Sequence, residues 1–176
     1  MNMENKILRG LMWTPESGRL SFREVRYLLI RPETVVAVQK AAEEALGERA
    51  GELFYAGGFA GGSLSSRRYK EAFGYSDRQI VDFMCRMGRQ IGWGRFEVVE
   101  LDDAAGRLVV DVYDSPFAEA YGPADHAVCH LIRGVLAGLA SGLFQADVEA
   151  VESPCAAQGA ARCHFAIQRK RSSTHA

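Results

Sequence analysis

Neither sign of charge prevails in this chain. Its 21 lysines and arginines stand against 22 aspartates and glutamates, a formal net charge of -1, so no global field draws it to nucleic acid or to an anionic membrane surface. Long apolar runs are missing too. The best one, 135–144, is interrupted by Gly138, Ser141 and Gly142 and is shorter than the roughly 20 residues that span a bilayer. The opening residues 1–10 are polar and charged, without the apolar stretch of a secretion signal, which predicts a cytoplasmic protein. No G-x-x-x-x-G-K-[ST] run is present to cradle phosphate. Gly57, Gly58, Gly61 and Gly62 neither follow a clear strand nor keep the G-x-G-x-x-G order of a dinucleotide site. No helix reads as a DNA-recognition element, and no repeat or long linker divides the chain.

What is present is an ordinary globular composition: 176 residues, 48% hydrophobic and 24% charged, enough for one proper core and too little for two. The expected organisation is a single domain over 1–176. It comprises an N-terminal segment 1–32, helices and a central hairpin over 33–120, a helix and second hairpin over 124–168, and a basic tail 169–176. Residues 18–22 read as a strand, followed by an apolar segment, 25–30, that ends before Pro32. Helical spacing over 32–47 puts Val35, Val38, Ala42 and Leu46 on one face, with Gly47 as the stop. The stretch 53–64 holds four glycines, each costing about 1 kcal/mol inside a helix; it reads as close backbone packing or as a yielding wall beside a ligand. Ser76 caps an amphipathic helix to about 91, with Ile80, Phe83, Met84, Met87 and Ile91 on one side. The period then drops to two, and 96–101 with 107–113 form an antiparallel hairpin. A helix over 126–144 follows, then strands near 146–152 and 162–168. The fold class is α+β, with helices packed on an antiparallel sheet. Arg169, Lys170 and Arg171 lie in a serine-rich terminus and read as a solvated end.

Cysteine is scarce at four residues, yet Cys129, Cys155 and Cys163 fall close together with Glu152 among them, spaced Cys-x22-Glu-x2-Cys-x7-Cys. In a reducing compartment such clustering points to a metal before disulfides. Three thiolates and a carboxylate close a tetrahedral shell around zinc, and a shell with no open position is structural rather than catalytic. Hydrolysis would need an open position and a nearby base, which four protein ligands do not supply. Cys129 is expected in the first helical turn, where the dipole favours a thiolate. The loop 153–162 has almost no large apolar group to hold it down, a task a metal would perform. Two other readings stand beside this one: buried cysteines with a solvated Glu152, and His126, His130 or His164 as substitute ligands. Cys85 falls outside the cluster and reads as a core thiol.

The segments 129–138 (CHLIRGVLAG), 148–159 (VEAVESPCAAQG) and 163–165 (CHF) resemble the 4-vinyl-reductase domain family. That family includes stand-alone hydrocarbon-binding proteins, a protein associated with bacteriochlorophyll synthesis, and the sensor half of aromatic-responsive transcription activators. Gly18, Arg19, Leu20 and 24–29 (EVRYLL) resemble the leading segment of those sensors, so the likeness covers roughly 11–167. The resemblance implies zinc held by Cys129, Glu152, Cys155 and Cys163. It also implies a fold related to vesicle-transport subunits and NO-signalling ligand-binding domains, commonly paired as a homodimer. In the sensors it implies an aromatic ligand between the helices and the central hairpin, with a histidine on the phenol hydroxyl and a tryptophan beside it. Gln90 stands at the expected histidine position and Tyr113 nearest the tryptophan. Both departures count against a phenol sensor and leave the ligand open.

The expected ligand-binding residues are Phe54, Phe59, Phe83, Met87, Gln90, Trp93, Phe96, Tyr113 and Phe117. Gln90 and Tyr113 would serve as polar handles, and Met84 and Met87 would adapt to the guest; filling the core is the competing role for each aromatic. The expected function is a non-enzymatic, zinc-containing binding domain for a small hydrophobic or aromatic molecule, acting as sensor or carrier with a separate signalling partner. The second reading, which the family implies, is a tetrapyrrole (bacteriochlorophyll) biosynthesis factor. Vinyl reduction needs a hydride donor and no nicotinamide or flavin fingerprint is present, so within that class a carrier or assembly factor is expected.

Overall fold

The computed structural model describes residues 4–23 and 25–170; Glu24, and Arg171 of the basic run, lie outside the described residues. The chain opens with α1 (Lys6–Gly10), capped by the Asn5 side chain. A three-stranded antiparallel sheet follows, β1 (Met12–Thr14), β2 (Arg19–Phe22) and β3 (Val25–Tyr27), in that order. Pro32, whose ring presets a helical φ, opens α2 (Pro32–Leu46), and Gly47 closes it at φ 58°. Next come α3 (Arg49–Phe73) and α4 (Asp77–Gln90), the latter started by a reciprocal capping box between Ser76 and Gln79. β4 (Arg95–Asp102) and β5 (Arg107–Tyr113) form the expected hairpin. After α5 (Pro116–Tyr121) and α6 (His130–Phe144), β6 (Val148–Glu152) and β7 (Cys163–Arg169) complete an antiparallel sheet in the order β4-β5-β7-β6. No helix among the described residues is long and apolar enough to cross a membrane.

Period two turns Val148, Ala150 and Glu152 of β6, and Cys163, Phe165 and Ile167 of β7, to one buried face. Leu108, Val110 and Val112 of β5 join this core, together with Ile132, Leu136 and Leu139 of α6. The opposite side of α6 lies against α3. A β-carbon on Gly134 would sit 2.1 Å from the Tyr55 carbonyl oxygen, and one on Gly138 2.2 Å from that of Phe59. From the facing helix, β-carbons on Gly58 and Gly62 would lie 2.3 and 2.2 Å from the carbonyls of Leu131 and Val135. The glycine-rich stretch is therefore helix, and the conformational cost of its glycines is offset by backbone-to-backbone contact that no larger residue permits.

Three boundaries differ from the sequence reading. Val38 and Leu46 are exposed (59% and 43%), because α2 turns Val36 and Gln39 inward. Gln39 can take that place since its amide donates to the Val128 carbonyl at 3.1 Å and to Glu43 at 2.9 Å, satisfying a buried polar group. The last helix starts at His130, with Cys129 as its N-cap rather than in its first turn. The apolar segment 25–30 splits into β3 and the exposed Leu28, Leu29 and Ile30.

Gly134→Ala is expected to lower stability by about 1–3 kcal/mol through overpacking. Gly57→Ala, whose added carbon meets nothing within 4 Å, is expected to raise it by about 0.5–1 kcal/mol. Urea unfolding of the two variants checks this, and equal effects would refute the close contact between α3 and α6.

Candidate functional site

Four groups able to bind a metal meet at one end of the second sheet. Strand alternation carries Glu152, at the end of β6, and Cys163, at the start of β7, to the buried face, where α6 delivers Cys129 and the intervening loop delivers Cys155. All four are buried, and their ligand atoms lie within 4.8 Å of one another. The Cys163 Sγ is 3.7 Å from that of Cys129 and 3.8 Å from that of Cys155. Metal–sulfur bonds of about 2.3 Å at tetrahedral angles set sulfurs roughly 3.8 Å apart, so the spacing suits a central ion. Glu152 Oε2 accepts from the Cys129 amide at 3.0 Å, whereas its Oε1 is buried with no hydrogen-bond partner. A buried carboxylate oxygen without a donor is costly, and a cation at the centre would satisfy it. The histidines are engaged elsewhere: His126 with Asp125 and His164 with Asp111, while His130 packs against Gly51.

With protons as the only cations, the charge in this cluster divides unevenly. Hydrogen bonds from Cys129 and Cys163 hold the Cys155 thiol well below the usual thiol range, and the contact with Cys155 pushes Cys129 up. Burial, then the neighbouring Cys155 charge, pushes Glu152 up to about 8. A divalent ion resolves the conflict by letting all four groups ionise together.

The surrounding shell orients these groups. The Ala156 amide donates to Cys163 Sγ at 3.3 Å, and the Ser115 hydroxyl lies 3.3 Å from Cys129 Sγ. Gln158 ties the loop, its side-chain oxygen accepting from the Cys155 amide at 3.2 Å and its Nε2 donating to the Asp125 carbonyl at 3.1 Å. Behind β7, buried Asp111 accepts from Arg162 Nε at 2.5 Å and meets His164 Nδ1 at 2.6 Å. The loop thus has polar anchors that a search for large apolar groups overlooks.

Further along α6, a cavity of about 240 Å³ opens among β3, α3, α4 and the start of β4. Of the nine expected ligand residues, Met87, Trp93 and Phe96 line it, and Met84 does so as well. Phe117 lies edge-on to Trp93, with ring centroids 5.4 Å apart. Tyr113 stacks with the Arg95 guanidinium, 3.9 Å from its ring centroid. Phe59 pairs with Tyr55, and Phe83 joins an aromatic cluster with Tyr69, Phe73 and Tyr75; Phe54 is half-buried on α3. Gln90 is outside the cavity wall: its side-chain oxygen accepts from the Ile7 amide at 3.0 Å and docks α1. Sequence reasoning missed Tyr27, Gly61, Ser65 and Val135 on the wall. The available signals were period two in β3, which puts Val25 and Tyr27 on one half-buried side, and the i, i+4 spacing of Gly61 and Ser65 on α3. The Tyr27 hydroxyl is hydrogen-bonded to that of Tyr69 and lies 3.6 Å from Met87 Sδ.

Residues 108–169 match the family model of the 4-vinyl-reductase domain. No curated protein matches the chain. Among solved structures, the phenol-responsive sensory domain of the transcription activator PoxR, determined with phenol, is similar with a TM-score of 0.79 at 23% identity, over 93% of this chain and 86% of that one. A trafficking protein particle complex subunit 3 from Naegleria fowleri, covalently bound to palmitic acid, gives 0.57 at 10% identity over 80% and 95%. A vinyl-4-reductase family protein from Methanocaldococcus jannaschii gives 0.56 at 14% identity over 85% and 86%. The likeness is one of fold, and it is the α+β architecture shared with a vesicle-transport subunit that the sequence reading expects.

Cys163→Ser is expected to weaken metal retention by well over about a hundredfold and to lower the melting temperature, while Cys85→Ser, outside the cluster, keeps its metal; metal analysis after dialysis reads both. The pH dependence has a defined sign. Raising the Glu152 pKa from 4.5 to about 8 favours its protonated form in the metal-free fold, a contribution present below 4.5 and lost as pH climbs through about 8. Metal-free protein is therefore expected to lose stability over that interval, and Glu152→Gln to flatten the slope. Bound metal reverses the trend, because its ligands must shed protons. Melting curves with and without chelator check it, and a metal-free slope unchanged by Glu152→Gln would refute it.

Proposed function

Since residues 108–169 form a 4-vinyl-reductase domain, we propose that this chain is a non-enzymatic, zinc-containing binding domain for a small hydrophobic or aromatic molecule, acting as sensor or carrier. The observation that carries the reading is the cavity of about 240 Å³ with its largely apolar wall. An apolar cavity of about 150 Å³ accepts benzene, so this one has room for a single substituted ring. Pockets for drug-sized ligands start at roughly 300 Å³, and a tetrapyrrole macrocycle is larger than such ligands; the size favours the small-molecule reading over pigment synthesis. The phenol-responsive PoxR domain of the same fold supports a ligand of this class.

Zinc is the ion that best suits three thiolates and one carboxylate at tetrahedral spacing. Four protein ligands leave no open position, which makes it a structural staple. Cys129, Glu152, Cys155 and Cys163 would hold it, pinning the loop before β7 and the start of α6. The same helix supplies Val135, Leu136 and Leu139 to the cavity, so the staple would also fix one cavity wall. The remaining walls, α4 and β3, would carry the response to occupancy. Directly after β3, Leu28, Leu29 and Ile30 are 77%, 84% and 59% exposed, an apolar strip suited to pairing in a homodimer or to a signalling partner.

Monocyclic aromatics are expected to raise the melting temperature as the logarithm of their concentration above Kd. Gly61→Leu, whose side chain would grow from open space on the cavity wall, is expected to abolish that shift with metal content unchanged. A wild-type protein indifferent to every such compound would sink the binding reading. Light scattering is expected to give twice the chain mass, and a monomer would overturn the pairing.

A further inference from the structure

We propose that the Tyr27–Tyr69 hydroxyl pair is the polar anchor of the cavity, and that it selects a small apolar molecule bearing one hydroxyl or carbonyl oxygen. The inference rests on the reading of the cavity as a binding site. The wall carries few polar side chains: Arg26, Tyr27, Ser65 and Cys85. Arg26 is exposed and its guanidinium has water available. A thiol is a weak donor. A helical serine such as Ser65 can return its hydroxyl to the carbonyl four residues back.

Tyr27 stands apart because of what its hydroxyl faces. Tyr69 is buried to 1% exposure, and its hydroxyl bonds to that of Tyr27. The Tyr27 hydroxyl in turn donates toward the Met87 sulfur at 3.6 Å, a weak acceptor. With that proton on sulfur, the proton of the shared bond belongs to Tyr69. Tyr27 is then left with its own proton on a poor partner and one lone pair unused, since a hydroxyl offers one donor and two acceptor sites. Met87 is itself a wall residue with a flexible side chain, so a ligand oxygen can take the place of its sulfur. A carbonyl would accept the Tyr27 proton, and a hydroxyl could accept it or donate to the free lone pair. A wholly apolar guest leaves the resting arrangement intact and gains nothing from it. Burial keeps both phenol groups neutral, raising each above the ordinary tyrosine value, so the anchor remains a donor across the physiological range.

The test compares phenol with toluene, near-equal in size and differing in the oxygen, by calorimetric titration of the full chain and its variants. Tyr27→Phe is expected to lower phenol affinity about tenfold, the worth of one hydrogen bond, and to leave toluene affinity unchanged, which also reports an intact cavity. Tyr69→Phe, which removes the supporting donor, is expected to weaken phenol selectively as well, and it serves as the reading if Tyr27→Phe loses toluene binding by misfolding. Ser65→Ala is expected to change neither. Equal effects of Tyr27→Phe and Tyr69→Phe on the two compounds, or a phenol-selective loss in Ser65→Ala alone, would overturn the anchor while the binding reading stands. Failure of the wild-type protein to bind either compound would overturn both.

Discussion

The backbone contact between α3 and α6 is the constraint on which the rest of the molecule depends. Gly134 and Gly138 each face a carbonyl of α3, and Gly58 and Gly62 each face one of α6, so neither helix can slide or rotate without driving a carbon into an oxygen. With one side held this way, α6 lays its other side on Leu108, Val110, Phe165 and Ile167 of the sheet. The helix is buried almost all round, which makes its position a property of two independent packings. Everything functional is then referred to it. Its N-cap is Cys129, and its middle forms one side of the cavity.

The metal cluster is the polar counterpart of that contact. Glu152 continues the inward alternation of Val148 and Ala150, a position where a carboxylate is unfavourable unless something compensates its charge. One of its oxygens caps the Cys129 amide and the other has no donor. The sheet thus gives an inward position to a charge, at the one place where three thiols converge. A hydrophobic residue there would close the core but leave the loop from Ser153 to Arg162 with polar anchors alone.

How much of this is legible in the sequence follows from the range of the interactions. The cap at Ser76, the hairpin of β4 and β5, and the spacing of Cys129, Glu152, Cys155 and Cys163 are local or nearly so, and they stand out in a linear reading. The glycines of 57–62 are legible as close packing, but their partners Gly134 and Gly138 lie on another helix and only the fold pairs them. Val38 and Leu46 show the limit of apolar periodicity, since Gln39 takes the buried position through a bond to Val128, 89 residues away. The same limit hides the cavity. Tyr27 and Tyr69 are 42 residues apart, and nothing in either neighbourhood announces that their hydroxyls meet. Gln90, a candidate for its polarity, faces α1 instead, because polarity tells that a partner is needed without telling which.

The division of labour between the two ends of α6 bears on how a ligand could be reported. A ligand shifts a conformational equilibrium only by its differential affinity for the two states, so the wall that yields must be the least constrained. α3 and α6 are locked by their backbones, and the start of α6 is tied further by the thiol cluster. α4 and β3 are held by lighter means: α4 meets the wall through Met84 and Met87, side chains that repack readily, and β3 is a short strand at the edge of a three-stranded sheet. Tyr27 belongs to that strand and reaches the cavity, while the residues that follow it, Leu28 to Ile30, turn outward. Guest recognition by Tyr27 is therefore adjacent in the chain to the exposed apolar strip, and a change at one is mechanically continuous with the other.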